Sequence, residues 1–393
     1  MTEIDKSSAA FARGSIDLIE EKELKARLSE GKALRVKFGM DPSSPDLHIG
    51  HAIPLLKLRD LQELGHHIVL IVGDSTAMVG DPSGKNQLRP QLSREDVESN
   101  LETYTAQAGK ILDMDRTEVR RNSEWFDGMD FEGVLRLCAR MTVARMIERD
   151  TFQKRIKQGE PVGIHEFLYP LMQGWDSVQV QADVELGGTD QLFNLLVGRQ
   201  LQEQEGARPQ ICVTSPLING ADGRKMSKSY GNAILFEDSP ADVFGKTMAV
   251  EDEVMAVWFE QLTRIESSEI KALLAGHPRD AKVRLGRELV TLLHGADAGA
   301  AAADAFDRQF RGGELPDDIP EVSWPAEGSL PLANLLRELG LASSGGEARR
   351  LVQQGGVRLD GEVAKEPMEL VSPPEGELLV QVGKRRFARV KKP

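Results

Sequence analysis

The sequence predicts an α/β fold: an open, doubly wound parallel sheet with a helical insertion, followed by a helical domain and a small α+β domain. Apolar runs at residues 34–40 and 68–72 are each followed by a turn rich in Gly, Pro, Asp and Ser and then by a helical pattern. This sequence of features is typical of buried parallel strands. Residues 93–176 and 239–307 are mostly helical in periodicity, whereas residues 312–331 contain too many glycines and prolines for a helix or a central strand.

The strand-like segments of the first half are expected to lie in one sheet. Residues 180–186 and 210–214 are also strand-like, so the helical insertion separates two halves of that sheet. In a Rossmann-like sheet of this kind, ligands bind at the carboxyl ends of the strands. The predicted domains are residues 1–238 for the sheet with its insertion, 239–311 for the helical domain, 312–331 for a linker and 332–393 for the small α+β domain.

The predicted C-terminal domain begins with two short amphipathic helices. Ser343 or Ser344 is placed to act as an N-cap. A strand follows, and Asp360-Gly361 is the dipeptide that favours a tight hairpin turn.

The composition excludes several classes of protein. The chain has 393 residues, of which 40% are hydrophobic and 28% charged, unlike a disordered, fibrous or membrane protein. No apolar run approaches the roughly 20 residues that cross a bilayer, and the N-terminus has no apolar signal core. We therefore expect a cytoplasmic protein without membrane contact. Cys138 and Cys212 are too few for a disulfide framework or a cysteine metal site, and we predict no metal ligands.

The charge is distributed unevenly along the chain. Lys plus Arg total 49 against 62 Asp plus Glu, a net charge of −13, which argues against a protein that coats nucleic acid. The last ten residues carry six basic side chains and no acid, so the remainder carries −13 − 6 = −19. This basic end favours local contact with a polyanion, and a solvated terminal tail is an equal alternative.

Two short motifs carry candidate chemistry. After the first strand comes DPSSPDLHIGH at residues 41–51, with His48 and His51 on one face of an opening helix, where ring N–H groups and the helix N-terminus face an anion. Residues 221–229, ADGRKMSKS, form a polar loop with Lys225 and Lys228 three residues apart, suited to bringing two ammonium groups onto a triphosphate. Taken singly, the first motif also fits two partly exposed histidines at a helix start, and the second a solvated loop.

Together, HIGH at residues 48–51 and KMSKS at residues 225–229 resemble the paired signatures of class I aminoacyl-tRNA synthetases. The sequence between them is similar to the bacterial tyrosyl-tRNA synthetases. The motifs that carry this similarity are GDPSGK at 80–85, YPLMQGWD at 169–176 and GGTDQ at 187–191. The resemblance runs from about residue 36 to the C-terminus. Residues 344–361 resemble the S-four-type RNA-binding domain.

The resemblance implies a two-step ligase reaction. L-tyrosine is activated with ATP to tyrosyl-adenylate and pyrophosphate, and the tyrosyl group is then transferred to the 3′ end of tRNA-Tyr. Mg²⁺ is expected to accompany the ATP, bound mainly through phosphate and water, with no tightly bound cofactor. Family members are homodimers, and residues 134–147 are a candidate interface or, nearly as well, a buried core helix.

The resemblance also assigns roles to individual residues, and two of these assignments have a physical basis in the sequence. Tyr169, Gln173 and Asp176 share one helix face, and Asp176 is the candidate acceptor for a buried phenol, whose hydroxyl needs a partner. The expected catalytic residues are His48, His51, Lys85, Arg89, Lys225 and Lys228. Tyrosine contacts are expected from Asp81, Tyr169, Gln173, Asp176 and Gln191, ATP contacts from Gly39, Asp41, His48, Gly50, His51, Asp190, Met226 and Lys228, and RNA contacts from Arg349, Arg350, Lys384, Arg385 and Arg386.

The chain departs from the family pattern at Lys37. Many members have a tyrosine there that also touches the substrate hydroxyl; Lys37 either holds Asp176 ionised or points to solvent. Three other functions remain as alternatives: a tryptophanyl-tRNA synthetase, a small nucleotidyltransferase with His-x-Gly-His, and a non-charging RNA-binding relative. Asp176 counts against the first, the lysine loop against the second, and the intact histidines and lysines against the third.

Overall fold

A computed structural model describes residues 2–42, 44–83, 93–220, 222–224, 226, 231–308, 319–326, 328–383 and 386–392. The chain divides into two compact units, Met1–Ala303 and Asp304–Pro393. The predicted boundaries after residues 238, 311 and 331 stay predictions.

The first unit is built on one sheet, which has six strands within the described ranges. Its order is β1-β6-β5-β2-β3-β4, and every neighbouring pair is parallel except β1 and β6. The predicted open parallel sheet is thereby confirmed. The strands are β1 (Asp17–Ile19), β2 (Arg35–Met40), β3 (His67–Val72), β4 (Thr117–Arg121), β5 (Val184–Gly188) and β6 (Ile211–Ser215).

Two strands differ from the predicted pattern. β4 lies in the segment predicted to be mostly helical. It is an edge strand with Glu118, Arg120 and Arg121, so it lacks the continuous apolar run of a buried strand. β5 begins four residues later than predicted, because Val180 is the C-cap of the preceding helix.

Helices cover the sheet and provide its crossovers. In the first half they are α1 (Glu3–Ala12), α2 (Glu21–Ser29), α3 (Ile49–Glu63), α4 (Asp74–Val79) and α5 (Arg94–Ala108). The insertion and second half contribute α6 (Ser123–Phe126), α7 (Phe131–Cys138), α8 (Val143–Ile147), α9 (Asp150–Lys157), α10 (Leu168–Gln179) and α11 (Leu192–Gln204). The candidate interface helix at 134–147 is therefore two helices, interrupted at residues 139–142.

The helical pattern from residue 239 onward is confirmed. The helices are α12 (Pro240–Met248), α13 (Asp252–Leu262), α14 (Ser267–Ala275), α15 (Pro278–His294) and α16 (Ala296–Asp307). Trp258, Phe259 and Leu285, which lie on α13 and α15, are fully buried.

Among the residues described, no helix is long and apolar enough to span a membrane.

The second unit contains two small sheets and two helices in its described residues. One sheet has the order β10-β9-β12-β13-β7, and the other pairs β11 with β8. Two of these strands, β7 and β8, lie within residues 312–331, the predicted linker. The elements are β7 (Glu321–Ser323), β8 (Leu330–Pro331), α17 (Leu332–Glu338), α18 (Gly345–Gln353), β9 (Val357–Leu359), β10 (Glu362–Val363), β11 (Leu370–Val371), β12 (Glu377–Val382) and β13 (Arg386–Lys391).

The local predictions for this unit are confirmed. Ser344 is the N-cap of α18, its side chain accepting from the Glu347 N–H. Asp360 and Gly361 have φ angles of 48° and 87° and turn the chain between β9 and β10. The basic C-terminal segment is not a free tail over residues 386–391, since these residues pair along β12 as strand β13.

Candidate active site

A cavity of about 1090 Å³ lies at the carboxyl edge of the parallel strands. Its walls are the ends of β2, β3, β5 and β6, the start of α3, one face of α10 and part of the insertion. Among the described residues that were predicted to contact tyrosine or ATP, His48 and Met226 do not line the cavity. The candidates that do line it are Gly39, Asp41, Gly50, His51, Asp81, Tyr169, Gln173, Asp176, Asp190 and Gln191.

The start of α3 positions both histidines. His48 is the N-cap, and its Nδ1 accepts a hydrogen bond from the Gly50 N–H at 3.1 Å. His51 Nδ1 accepts from the His48 N–H at 3.1 Å, and the ring centroids lie 4.1 Å apart. His51 Nδ1 also lies 3.2 Å from the His48 carbonyl oxygen, so its role as donor or acceptor depends on the tautomer. Because His48 Nδ1 accepts a backbone proton, the neutral His48 ring carries its own proton on Nε2. Both rings lie at the positive end of a helix.

Two glycines in this part of the site have different roles. A Cβ at Gly50 would come within 2.8 Å of the His48 ring, so a side chain there would displace the histidine. A Cβ at Gly39 would meet no atom within 4 Å and would project into unoccupied space on the cavity wall.

Backbone contacts join the helix start to the chain beyond the second motif. The Ile49 N–H donates to the Ile234 carbonyl at 2.9 Å, and the Phe236 N–H donates to the Leu47 carbonyl at 3.0 Å. Residues 234–236, which follow the second motif in the sequence, therefore lie beside the start of α3.

Four of the predicted catalytic cations lie outside the described residues: Lys85, Arg89, Lys225 and Lys228. Met226 is described and buried, and its N–H donates to the Ile218 carbonyl at 3.4 Å.

Tyr169 and Asp41 form a buried polar pair beside the cavity. Tyr169 Oη donates to Asp41 Oδ2 at 2.8 Å, and Thr76 Oγ1 donates to Asp41 Oδ1 at 2.7 Å. Burial raises the pKa of Asp41 to about 7, although these two hydrogen bonds oppose the rise. Burial, with the negative charge of Asp41, also raises the pKa of Tyr169 well above its ordinary value. Tyr169 therefore stays protonated, and its oxygen keeps lone pairs for a cationic donor.

Asp176 is a buried carboxyl group held by two donors. It is 3% exposed. Trp125 Nε1 donates to Oδ1 at 2.9 Å, and Asn122 Nδ2 lies 3.5 Å from Oδ2. Burial raises the pKa of Asp176 to about 7, opposed by the positive charge of Lys37 and by the two donors. An ionised carboxylate has about four acceptor positions, so Asp176 can also accept a phenolic hydroxyl.

Asp81 is the centre of a second polar group. Gln191 Nε2 donates to its Oδ2 at 2.7 Å, and Arg149 Nη2 donates to its Oδ1 at 3.2 Å. The Ser83 backbone N–H donates to Oδ1 at 2.8 Å. Asp81 is thus fixed from three sides as an acceptor at the cavity wall.

Lys37 is fully buried and ion-paired. Its Nζ lies 2.9 Å from Glu185 Oε1, and both side chains are 0% exposed. Further hydrogen bonds of 2.8 Å go to the Gln173 carbonyl and to Ser177 Oγ. The expectation that Lys37 points to solvent is wrong. The alternative, that it favours the ionised form of Asp176, agrees with the direction of its effect on the pKa of Asp176, although its direct partner is Glu185.

Five residues that hold the site together are not predicted from the sequence: Trp125, Asn122, Thr76, Arg149 and Glu185. Two signals were present. Asn122 directly follows β4, where ligand-binding side chains collect. Glu185 is an acid inside an apolar strand, as Lys37 is a base inside another, and buried charges require partners. What hid the pairing was the strand order that makes β2 and β5 neighbours.

The RNA-binding candidates fall in the second unit. Arg349 and Arg350 are exposed on α18. Arg386 begins β13, donates to the Leu341 carbonyl at 2.7 Å and is 43% exposed. Lys384 and Arg385 lie outside the described residues.

No metal centre is found in the described part of the chain, where no group of three or more His, Cys, Asp or Glu side chains is placed to hold an ion.

Comparison with known families matches both units. Residues 29–311 match the family of tRNA synthetases class I (W and Y), and residues 330–376 match the S4 domain. The chain therefore belongs to the class I aminoacyl-tRNA synthetases that serve tryptophan and tyrosine.

Full-length relatives narrow the family further. The tyrosine–tRNA ligase of Thermotoga maritima is 51% identical over 96% of this chain and 95% of its own. That of Haemophilus influenzae is 47% identical over 100% and 98%, and that of Oleidesulfovibrio alaskensis 49% over 99% of each. Within the family, the chain groups with the tyrosyl-tRNA synthetases.

Solved structures agree on the fold. A tyrosyl-tRNA synthetase from Archaeoglobus fulgidus complexed with L-tyrosine has a TM-score of 0.61 at 22% identity, covering 76% of this chain and 99% of its own. A C-terminally truncated mitochondrial enzyme from Aspergillus nidulans has a TM-score of 0.64 at 23% identity, covering 80% and 94%.

Proposed function

We propose that the cavity binds L-tyrosine and ATP side by side and catalyses tyrosine–tRNA ligation with the residues described above. In the first step the tyrosine carboxylate attacks the α-phosphorus of ATP and pyrophosphate leaves. In the second, a ribose hydroxyl at the 3′ end of tRNA-Tyr attacks the tyrosyl carbonyl and AMP leaves. A carboxylate is already a nucleophile, so the first step needs positioning and charge stabilisation, and no covalent enzyme intermediate.

The observation that carries the proposal is the buried Asp176. A phenol that enters an apolar pocket loses hydrogen bonds to water, at a cost of about 1–3 kcal/mol if no acceptor replaces them. Asp176 supplies that acceptor, and Trp125 and Asn122 keep its oxygens in place. Phenylalanine offers no hydroxyl and leaves the carboxyl group without this donor.

The ammonium group of tyrosine is proposed to bind at the other end of the pocket. Asp81, the oxygen of Tyr169 and the amide oxygen of Gln173 are its acceptors, and Gln191 supports Asp81. Because Tyr169 donates its own proton to Asp41, its oxygen faces a cation only as an acceptor.

ATP is proposed to lie against the start of α3. His48 and His51 donate Nε2–H groups towards the phosphates, and Lys85, Arg89, Lys225 and Lys228 supply positive charge as pyrophosphate leaves. Gly39, Asp41, Gly50, Asp190 and Met226 are the proposed neighbours of the nucleoside. Mg²⁺ arrives with the nucleotide, held through phosphate oxygens and water, and we propose no tightly bound cofactor.

ATP–pyrophosphate exchange with each of the twenty amino acids tests this function. Exchange that depends on L-tyrosine is expected, with none for L-tryptophan. Tryptophan-dependent exchange would favour the alternative substrate, and no exchange with any amino acid would favour a non-charging RNA-binding relative.

The second unit is proposed to hold tRNA-Tyr through Arg349, Arg350, Arg386 and the neighbouring Lys384 and Arg385, while residues 239–311 contact the anticodon region. A chain truncated after residue 308 is expected to lose tRNA charging and to keep tyrosine-dependent exchange. The cut keeps α16 complete and removes β7 and β8 with the strands they pair with. Equal loss of both activities would contradict an RNA-binding role for this unit.

We propose a homodimer that uses the insertion. Large apolar side chains are exposed there, including Phe131 at 77% and Ile164 at 85%. Phe131→Glu with Ile164→Glu is expected to give monomers by sedimentation velocity, whereas Met368→Glu, at an exposed apolar position of the second unit, is not. A variant that stays dimeric would exclude this surface as the dimer interface.

We also propose a cytoplasmic location, in keeping with two free cysteines.

A further inference from the structure

A continuous chain of side-chain hydrogen bonds runs behind the proposed ammonium site. At one end, Gln173 Nε2 donates to Glu185 Oε1 at 3.0 Å. Asn194 Nδ2 donates to Gln173 Oε1 at 2.8 Å and to Gln191 Oε1 at 2.9 Å. At the other end, Gln191 Nε2 donates to Asp81 Oδ2 at 2.7 Å. Three carboxamides are thus enclosed between two carboxylates.

The carboxylates dictate how the amides are oriented. An ionised carboxylate only accepts hydrogen bonds, so Gln173 and Gln191 must each turn an NH₂ group outward to an end of the chain. Their oxygens then face inward, and Asn194 must meet both with its own NH₂ group. Asn194 is fully buried, and its Oδ1 has no partner among the described residues.

Glu185 is surrounded by hydrogen-bond donors. Four donors point at its two oxygens: Lys37 and Gln173 at Oε1, Ser177 and Gln210 at Oε2. Lys37 is not among the residues that line the cavity, so it reaches the side-chain amide of Gln173 through Glu185, while its charge also lowers the pKa of Asp176. A buried ion pair seldom adds net stability over an apolar pair of similar volume, so its presence here calls for another role.

We propose that Glu185, ion-paired with Lys37, is a positioning residue that fixes the amide orientation of Gln173 for recognition of the substrate's ammonium group. With its NH₂ group committed to Glu185, Gln173 offers the ammonium group an oxygen. In the opposite orientation it offers N–H groups, which repel a cation. The inference rests on the proposed role of Gln173 in binding tyrosine.

The test compares three ligands that share the phenol. L-tyrosine and tyramine carry an ammonium group, and 3-(4-hydroxyphenyl)propionate does not. In Lys37→Met/Glu185→Leu, which removes both charges without leaving either unpaired, affinity for the two ammonium ligands is expected to fall about 10-fold or more, as for a lost hydrogen bond to a charged group. Affinity for the propionate is expected to stay within about 2-fold. Calorimetry gives the dissociation constants, and circular dichroism checks folding.

Equal losses for all three ligands, or no loss for any, would overturn the inference. Lys37→Leu/Glu185→Met, a second pair without charge or acceptor, replaces the double variant if that does not fold, with the same expected pattern. Glu23→Gln is the matched control, because it removes an acid beside Arg27, another buried cation, away from the cavity lining.

Gln173→Leu separates this inference from the proposed function. It is expected to weaken L-tyrosine and tyramine more than the propionate. If it weakens all three equally, the proposed ammonium site is wrong. If it behaves as expected and the Lys37 and Glu185 variants do not, only the positioning role fails.

Discussion

The proposed amino-acid end and the proposed nucleotide end of the cavity differ in how their groups are held. At the amino-acid end, each polar side chain is held by protein partners before any ligand arrives, as Asp176 is by Trp125 and Asn122, and Asp81 by Gln191 and Arg149. At the proposed nucleotide end, Asp41 is held in the same way, and the other described features are a helix start capped by His48 and the open space beside Gly39.

The difference reflects what each end must recognise. A small amino acid offers few groups, so discrimination depends on acceptors that are already fixed in place and need little reordering when the ligand binds. A triphosphate offers spread negative charge, which helix starts and cationic side chains bind without exact shape matching. Substitutions at the first end should therefore change binding, and those at the second should change rate.

The largest effect is expected from Asp176→Ala. Tyrosine loses its hydroxyl acceptor and Trp125 and Asn122 lose theirs, so tyrosine affinity should fall about 100-fold or more. Titration calorimetry measures it. If ATP affinity falls equally, the two ends are not separate, and unchanged tyrosine binding would remove Asp176 from the pocket.

A somewhat smaller effect is expected at His48, and on rate instead of binding. His48→Ala should slow adenylate formation about 100-fold in single-turnover experiments with little change in tyrosine affinity. His48→Asn is the matched control for the cap, because Asn also accepts at a helix N-terminus. If the Asn variant is as fast as the unmodified protein, His48 serves only as a cap.

Trp125→Phe should have a moderate effect confined to the amino-acid end. It removes one donor to Asp176 and keeps most of the ring, so tyrosine affinity should fall about 10-fold. Equilibrium dialysis with labelled tyrosine measures this change. A change in the rate of adenylate formation at saturating tyrosine would argue against the division between the ends.

The smallest effect is on stability, with a sign that depends on pH. Burial raises the pKa of Asp176 from 3.8 to about 7, so its contribution to stability is fully present below pH 3.8 and is lost as the pH rises through 7. Asp176→Asn cannot ionise and should raise the Tm of the ligand-free protein at pH 8 by roughly 2–6 °C, with little change near pH 4. Differential scanning calorimetry at both pH values measures this, and a lower Tm at pH 8 would contradict it.

Much of the sheet and of the site was predictable because the signals are local. Apolar runs marked β2 and β3, and helical spacing put Tyr169, Gln173 and Asp176 on one face of α10, where all three line the cavity. Helix caps such as Ser344 follow from side-chain chemistry a few residues away.

The features that the sequence does not predict depend mostly on contacts between residues that are far apart in the sequence. β4 was hidden because charged residues fit an edge position that only the complete sheet defines. The sequence does not decide whether Lys37 is buried or exposed, because its partner Glu185 lies on β5, a neighbour of β2 in the sheet that is distant in the sequence. Apolar spacing does not predict the break between α7 and α8 at residues 139–142, because the residues on both sides of the break are apolar.

The charged edge strand β4 has the features that discourage edge-to-edge association of sheets. Its neighbour β3, HIVLIV, is the type of short β-branched segment that forms intermolecular cross-β contacts when its edge is bare. β4 covers that edge and presents Glu118, Arg120 and Arg121 to any incoming chain, as gatekeeper residues do. The side of the sheet opposite β1 is thereby closed to further strand addition, and newly made chains stay exposed to this hazard until β4 has docked.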